Sequence, residues 1–97
     1  MTMLKPVHPG EVLREEFLRP MALSAGAVAR AIGVPRTRIE RLASEQVDLS
    51  PDNALRLARY FGTSAEFWLN LHMRYIIETT GDAIKHDLER IEPFEAV

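Results

Sequence analysis

The chain has 97 residues, 46% of them hydrophobic and 27% charged, which predicts a single globular domain. It contains no cysteine, which excludes disulfides and thiolate metal sites, and its three histidines lie too far apart to form a metal site. No signal peptide opens it, and no apolar run approaches the roughly 20 residues of a membrane span. We therefore expect a cytoplasmic protein with no metal, other cofactor or membrane partner.

Capping signals predict three short helices in the first half of the chain. Serine at the N-cap, proline at the first helical position and glycine just past the last turn are typical of those places. The helical conformation is disfavoured for a residue that precedes proline, so such a residue marks the end of a helix. The predicted helices run from His8 to Arg19, from Ser24 to Gly33 and from Pro35 to Ser44.

Two further helices follow. The run Ser50-Pro51-Asp52 predicts the start of the fourth helix, and Gly62 predicts its end. An amphipathic stripe at helical spacing is formed by Ala54, Leu57, Ala58 and Phe61. The fifth helix is predicted from Ala65 to about Thr79, with either Thr63 or Ser64 as its N-cap.

The fifth helix carries two apolar stripes, so it must bury two faces. One stripe, predicted to close the core, is Trp68, Leu71 and Tyr75. The other, which we assign to a dimer interface with a second copy, is Leu69, Met73, Ile76 and Ile77. The alternative is that a sixth helix covers both stripes within one chain.

The end of the chain is acidic. Gly81-Asp82 predicts a break, and Ile84, Leu88 and Ile91 predict a short sixth helix before Pro93. From residue 78 to residue 97 there are six acids and two basic residues. We therefore divide the chain into a domain of residues 1–80 and a short acidic helix and tail of residues 81–97.

Residues 24–44 fit a helix-turn-helix. Two helices can pack at the angle this motif needs only with a small residue at their crossing and a turn residue that tolerates positive φ. Ala29 and Gly33 meet these needs, and Ile39 follows at the spacing of the second helix. A plain helical hairpin is the alternative. The stretch from Arg30 to Arg59, however, contains six arginines and four acids, so it is locally basic although the whole chain carries a net charge of −2.

The third helix has a polar outer face. With Ile39 inward, a rotation of about 100° per residue turns Thr37, Arg41 and Ser44 outward. Arginine can bind guanine through two hydrogen bonds, and threonine can contact the methyl group of thymine. The predicted DNA-binding residues are Arg36, Thr37, Arg38, Arg41 and Ser44. The alternatives are surface arginines paired with Glu40 and Glu45, and a Ser44 that only ends the helix.

No enzyme is indicated. Glu15 and Glu16 are adjacent on a helix and point in different directions, so they cannot form a catalytic pair. The serines are explained as helix caps and helix ends, and no histidine lies near any of them in sequence.

Several runs of the sequence closely resemble the HigA-type antitoxins, a branch of the lambda-repressor-like (XRE) helix-turn-helix proteins. These runs are His8-Pro9-Gly10-Glu11, Arg14-Glu15-Glu16-Phe17-Leu18, Gly33 to Ile39 and Ala54 to Asn70. The resemblance implies an all-α, five-helix DNA-binding domain with a short additional C-terminal helix. It also implies a homodimer that represses its own operon by binding double-stranded operator DNA and that neutralises a RelE- or HigB-like mRNA-cleaving toxin. The DNA contacts of the family fall on Arg36, Thr37, Arg38 and Arg41.

Two departures from the family pattern predict a weaker grip on the DNA backbone. Ala25 stands where the family has glutamine, and Ser44-Glu45-Gln46-Val47 replaces an Asn-Gly-Lys/Arg turn. A repressor without a toxin is one alternative. An interaction module that no longer binds DNA is another, and Glu45 is its best support. The second signature, Ala54 to Asn70, favours the antitoxin. The toxin-binding surface stays open between the acidic C-terminal segment and the first helix.

Overall fold

The computed structural model describes residues 5–95 and is helical, with no strand in that part of the chain. The predicted all-α fold, with a short sixth helix at its end, is thereby confirmed. Its helices, in chain order, are α1 (Pro9–Val12, continued by a π-helical segment Leu13–Leu18), α2 (Ala25–Ile32), α3 (Arg36–Ala43), α4 (Pro51–Phe61), α5 (Ala65–Ala83) and α6 (Lys85–Glu89).

Side-chain caps start four of the helices. The acceptors of backbone N–H bonds are His8 Nδ1 for α1, and the hydroxyls of Ser24, Ser50 and Ser64 for α2, α4 and α5. Of the two candidates at α5, Ser64 is the cap, because the Thr63 hydroxyl accepts a bond of 2.8 Å from Trp68 Nε1 instead. Pro35 precedes α3 as its N-cap, and the helix itself begins at Arg36.

The first helix is wider than an ordinary α-helix in its second half. The Arg19 N–H donates to the carbonyl of Arg14, five residues earlier, at 3.1 Å. Bonds of this span bring residues five apart toward one face. Leu13 and Leu18 are both buried as a result.

Four helical segments end in the same way, with a left-handed residue followed by an N–H that bonds the carbonyl five positions back. Gly33 and Gly62 are two of these left-handed residues, and the sequence predicted both. The other two are Ala22, with φ 54°, and Glu45, with φ 65°. An L-residue in this region costs about 1–2 kcal/mol.

The core lies where α1, α2, α3, α4 and the first half of α5 meet. Its fully buried large side chains are Trp68, Leu13, Ile39, Leu42, Leu57 and Val28. Gly10 lets α1 approach the backbone of α3, because a Cβ atom at this position would lie 1.8 Å from the carbonyl oxygen of Leu42. The first helix is therefore seated directly against the helix that is predicted to read DNA.

The helix break predicted at Gly81-Asp82 is wrong, since α5 continues to Ala83. A glycine inside a helix costs only about 1 kcal/mol relative to alanine, so it weakens the helix without ending it. The break comes at Ile84, whose φ of −111° and ψ of 24° leave the helical region. The division between residues 80 and 81 thus falls inside α5, and it stays a prediction.

The two stripes of α5 have different surroundings. Trp68 is fully buried, Leu71 packs on the core, and Tyr75 contacts the ring of His8 edge-on with centroids 4.8 Å apart, which confirms the first stripe. In the second, Leu69 also packs partly on the core. Its exposed members are Met73, Ile76 and Ile77. The alternative in which the sixth helix covers them is wrong, because Ile84, Leu88 and Ile91 are themselves exposed.

Candidate nucleic-acid interface

The second and third helices form a tightly packed pair. Val28 and Ala29 on α2 and Ile39 and Leu42 on α3 are at most 1% exposed. Gly33 supplies the left-handed turn between the helices, with φ 77°. This packing fixes the buried side of α3 and leaves its opposite side facing outward.

All five predicted DNA-binding side chains lie on the exposed side of this unit. They are Arg36, Thr37, Arg38, Arg41 and Ser44. Thr37, Arg38 and Arg41 line one wall of a shallow groove, and the opposite wall is formed by the loop before α4 and the first turn of α4. The structure therefore brings three of the five residues together on one surface.

Arg36 is paired with a neighbour on its own helix. Its Nε atom lies 3.3 Å from Glu40 Oε2, one turn further on. This is the pairing expected if the arginines only serve solubility. Both side chains are largely exposed, and exposed pairs of this kind contribute less than about 1 kcal/mol. The guanidinium of Arg36 is therefore easily released to another partner.

Arg38 is held against the start of α4. Its Nη1 atom donates to Asp52 Oδ1 at 3.0 Å and to Asn53 Oδ1 at 3.2 Å. Asp52 Oδ1 also accepts from Arg56 Nε at 2.7 Å, and Arg56 Nη1 donates to the carbonyl of Ile32 at 2.7 Å. Arg56 thus joins the end of α2 to α4. The sequence offered no signal for this network beyond the one-turn spacing of Asp52 and Arg56.

Arg41 differs from its neighbours, because it has no ion pair within residues 5–95. Its backbone carbonyl accepts a bond of 3.2 Å from the hydroxyl of Ser44. That bond uses the only proton of the hydroxyl, and a phosphate oxygen can only accept. The geometry therefore favours Ser44 as a helix-ending residue and leaves Arg41 as the more available cation.

A hollow lies beside the start of α2. Arg30 and Arg36 line it together with Gly26 and Val34. Gly26 is close to Arg36, since a Cβ atom at this glycine would lie 3.0 Å from Arg36 Cδ. The free N–H groups of a helix start favour anions. Arg30 and Arg36 thereby place two guanidinium groups beside this helix start.

Arg14, which the sequence did not single out, ties α1 to the end of α3. Its Nη1 atom donates to the carbonyl of Ala43, its Nη2 to Glu45 Oε2 at 3.2 Å, and its Nε to Glu15 Oε2 at 2.9 Å. The bond with Glu15 raises the pKa of Arg14, and the bond from Arg14 lowers the pKa of Glu15. The alternative in which Glu45 pairs with the arginines of α3 is therefore wrong for Glu45, since its partner Arg14 is on α1.

Metal-ligating groups and membrane-spanning helices were predicted to be absent. No group of three histidine, aspartate or glutamate side chains between residues 5 and 95 is arranged to hold a metal ion. Within the same range, none of the helices has both the length and the apolar character needed to cross a membrane.

Comparison with known proteins places this geometry in a family. A family model described as "Helix-turn-helix" matches residues 13–68. Virulence-associated protein I of Dichelobacter nodosus is 52% identical over 69 residues, and the match covers 71% of this chain and 64% of that relative. The chain therefore spans less than two thirds of that relative's length. Antitoxin HigA-1 of Vibrio cholerae is 34% identical over 92 residues, covering 95% of this chain and 87% of the relative.

A solved structure extends the comparison to the whole fold. It is described as Pseudomonas aeruginosa antitoxin HigA with higBA promoter. It superposes with a TM-score of 0.90 at 42% identity, covering 94% of this chain and 100% of that one. Both the fold and the sequence are shared along almost the full length. The chain therefore belongs to the helix-turn-helix family, and within it to the HigA-type antitoxins.

Proposed function

We propose that this protein represses its own operon by binding operator DNA through α3, and that Arg36, Thr37 and Arg41 read the bases. The observation that carries the proposal is the exposed cationic face of α3 on a rigidly packed helix pair, in a fold whose Pseudomonas relative was solved with promoter DNA. Arg41 is the strongest candidate for base recognition, since it has no competing ion pair among the described residues. Arg38 would have to break its bond with Asp52 before it could contact the DNA.

The DNA-bound form is proposed to be a homodimer. Met73, Ile76 and Ile77 give α5 an exposed apolar face, and Leu69 continues it toward the core. Burying apolar surface stabilises by roughly 25 cal/mol per Å², so such a face favours a second copy. A two-fold dimer would bind two half-sites about one helical turn apart. Operator DNA would also place the protein in the bacterial cytoplasm.

The second half of the proposal is neutralisation of a RelE- or HigB-like mRNA-cleaving toxin. Its support is membership of the antitoxin family and the near full-length match to Antitoxin HigA-1 of Vibrio cholerae. Either α1 or the acidic α6 segment is available for the toxin, since both carry exposed charged side chains. The role is one of binding, without catalysis.

A titration of the protein against its own promoter fragment tests the DNA-binding half. We expect a retarded complex at low salt whose affinity falls steeply with salt concentration, because lysine and arginine contacts release counterions. Arg41→Ala should weaken binding by about 1–3 kcal/mol, the value of one good bidentate contact. Arg19→Ala removes an exposed arginine from the end of α1 and should change nothing.

The remaining outcomes separate the alternatives. Absence of a shift at micromolar wild-type protein would reject both repressor functions and leave an interaction module. A shift without a stable complex with the product of the neighbouring gene would favour a repressor that has no toxin partner. Co-purification with that product, together with relief of its growth inhibition, is what the antitoxin proposal expects.

A further inference from the structure

We propose that Arg14 is a positioning residue for DNA binding, which acts by neutralising Glu45 and holding its carboxylate away from the duplex. This inference rests on the proposed operator binding. Arg14 lies on α1, outside the helix-turn-helix, and needs no contact with DNA to have this effect.

Glu45 stands in an unfavourable place for a protein that binds phosphates. It follows the last turn of α3 directly, at the negative end of the helix dipole. Its backbone is left-handed, with φ 65°, and the N–H of the next residue closes the helix by bonding the carbonyl of Arg41 at 2.8 Å. The carboxylate is therefore attached to the same turn as the proposed reading residue Arg41.

Arg14 neutralises this charge. Its Nη2 atom lies 3.2 Å from Glu45 Oε2, and both side chains are about one-third exposed. The groove beside Thr37, Arg38 and Arg41 is lined by Val47 from the same loop and does not include Glu45. The carboxylate thus points to α1, on a different side from the groove.

The guanidinium is itself rigidly placed. It donates to the carbonyl of Ala43 and to Glu15 as well as to Glu45, so three acceptors on two segments define its orientation. Gly10 holds α1 against the backbone of α3 at the same junction. Because of this close approach, the packed fold itself places Arg14 beside Glu45.

A double-mutant cycle on operator binding tests the inference. Arg14→Met should weaken binding by about fivefold at low salt, because the unpaired carboxylate would then be free to turn toward the DNA phosphates and repel them. The loss should shrink at high salt, which screens this repulsion. In a chain that carries Glu45→Gln, the same Arg14→Met substitution should cost clearly less, because only the loss of the Arg14 cation itself then remains.

Two controls separate charge from structure. Arg14→Lys keeps the cation and should bind nearly as wild type does. Arg19→Met removes an arginine from the neighbouring turn, where it pairs with Glu15 at 3.1 Å, and should leave binding unchanged. Circular dichroism of each variant checks that α3 is intact.

The outcomes are unambiguous. A loss from Arg14→Met that persists undiminished in the Glu45→Gln background would overturn the inference, since it would show that Arg14 acts through its own charge, through the Ala43 carbonyl or by touching the DNA itself. An unchanged affinity of Arg14→Met would overturn it as well. A wild-type protein that does not shift its operator would reject the proposed function, and the inference with it.

Discussion

The helix-turn-helix half of the molecule, which we define as residues 5–75, and its C-terminal arm, residues 76–95, differ in how far they bury their apolar side chains. In the first half the large core residues are buried, and arginines cover the outside. In the arm every large apolar side chain is at least 39% exposed, and Phe94 reaches 91%. The first half thus buries its core within one chain, whereas the arm leaves all of its large apolar side chains exposed.

The overall dimensions agree with this contrast. The described chain measures 56 × 28 × 22 Å, and its radius of gyration is 16.7 Å. A compact chain of this length has a radius of about 12–13 Å. The excess length lies in the second half of α5 and in α6, which project from the packed helices. Stability of the monomer and strength of association should therefore respond to different substitutions.

The largest effect is expected from Gly10→Ala. The added methyl group would collide with the Leu42 carbonyl at 1.8 Å, and a backbone atom cannot move aside as a side chain can. We expect a loss of about 3 kcal/mol or more in the free energy of unfolding, measured with urea. Gly81→Ala is the matched control in the arm. No atom lies within 4 Å of its added methyl group, so it should gain up to about 1 kcal/mol. Equal effects of the two substitutions would contradict the contrast between the halves.

A smaller effect is expected from a charge in the arm. Ile77→Lys should weaken self-association at least tenfold, because it places an ammonium group in the proposed apolar interface, while the helix content and thermal midpoint of the monomer stay unchanged. Leu55→Lys is matched in exposure, since both side chains are 62% exposed, but it lies on α4. It should leave the sedimentation profile as it is. If Leu55→Lys dissociates the dimer and Ile77→Lys does not, the interface lies on α4.

The smallest effect concerns strain within the packed half. Ala22→Gly should raise the free energy of unfolding by about 0.5–1 kcal/mol, because glycine adopts a φ of 54° without the steric cost that alanine bears there. Part of that gain is offset by the greater freedom of glycine in the unfolded chain. Ala31→Gly, on the exposed side of α2, is the control and should lose about 1 kcal/mol. Thermal unfolding of both variants checks the opposite signs, and two losses would show that Ala22 is not strained.

The parts of the fold that the sequence predicted are those set by local chemistry. Ser24, Ser50 and His8 announce helix starts because their side chains accept bonds from N–H groups two or three residues away. Gly33 and Gly62 announce helix ends for an equally local reason. The periodicity of Ile39 and Leu42 then fixes which side of α3 faces outward. For these reasons the predicted reading face is the exposed face of the structure.

What the sequence did not reveal depends on pairs that are distant along the chain. Arg14 and Glu45 are separated by 31 positions, and nothing local connects them. Gly10 looks like an ordinary first-turn glycine until the backbone of α3 is placed beside it. Gly81 is the opposite case. Its sequence context predicts a helix end, but its backbone does not adopt the left-handed conformation of one. The division of roles among the arginines likewise became visible only when Asp52 was placed beside Arg38.

Trp68 offers a built-in probe of the packed region. It is the only tryptophan of the chain, it is fully buried, and its indole N–H donates to Thr63 while its ring lies 5.1 Å from that of Phe17. Its fluorescence therefore reports from one place, where α1 and α5 meet. Emission that moves to longer wavelength while the circular dichroism stays constant will mark the separation of α5 from α1. One unlabelled chain can thus show whether a partner that binds the arm also loosens the helix-turn-helix half.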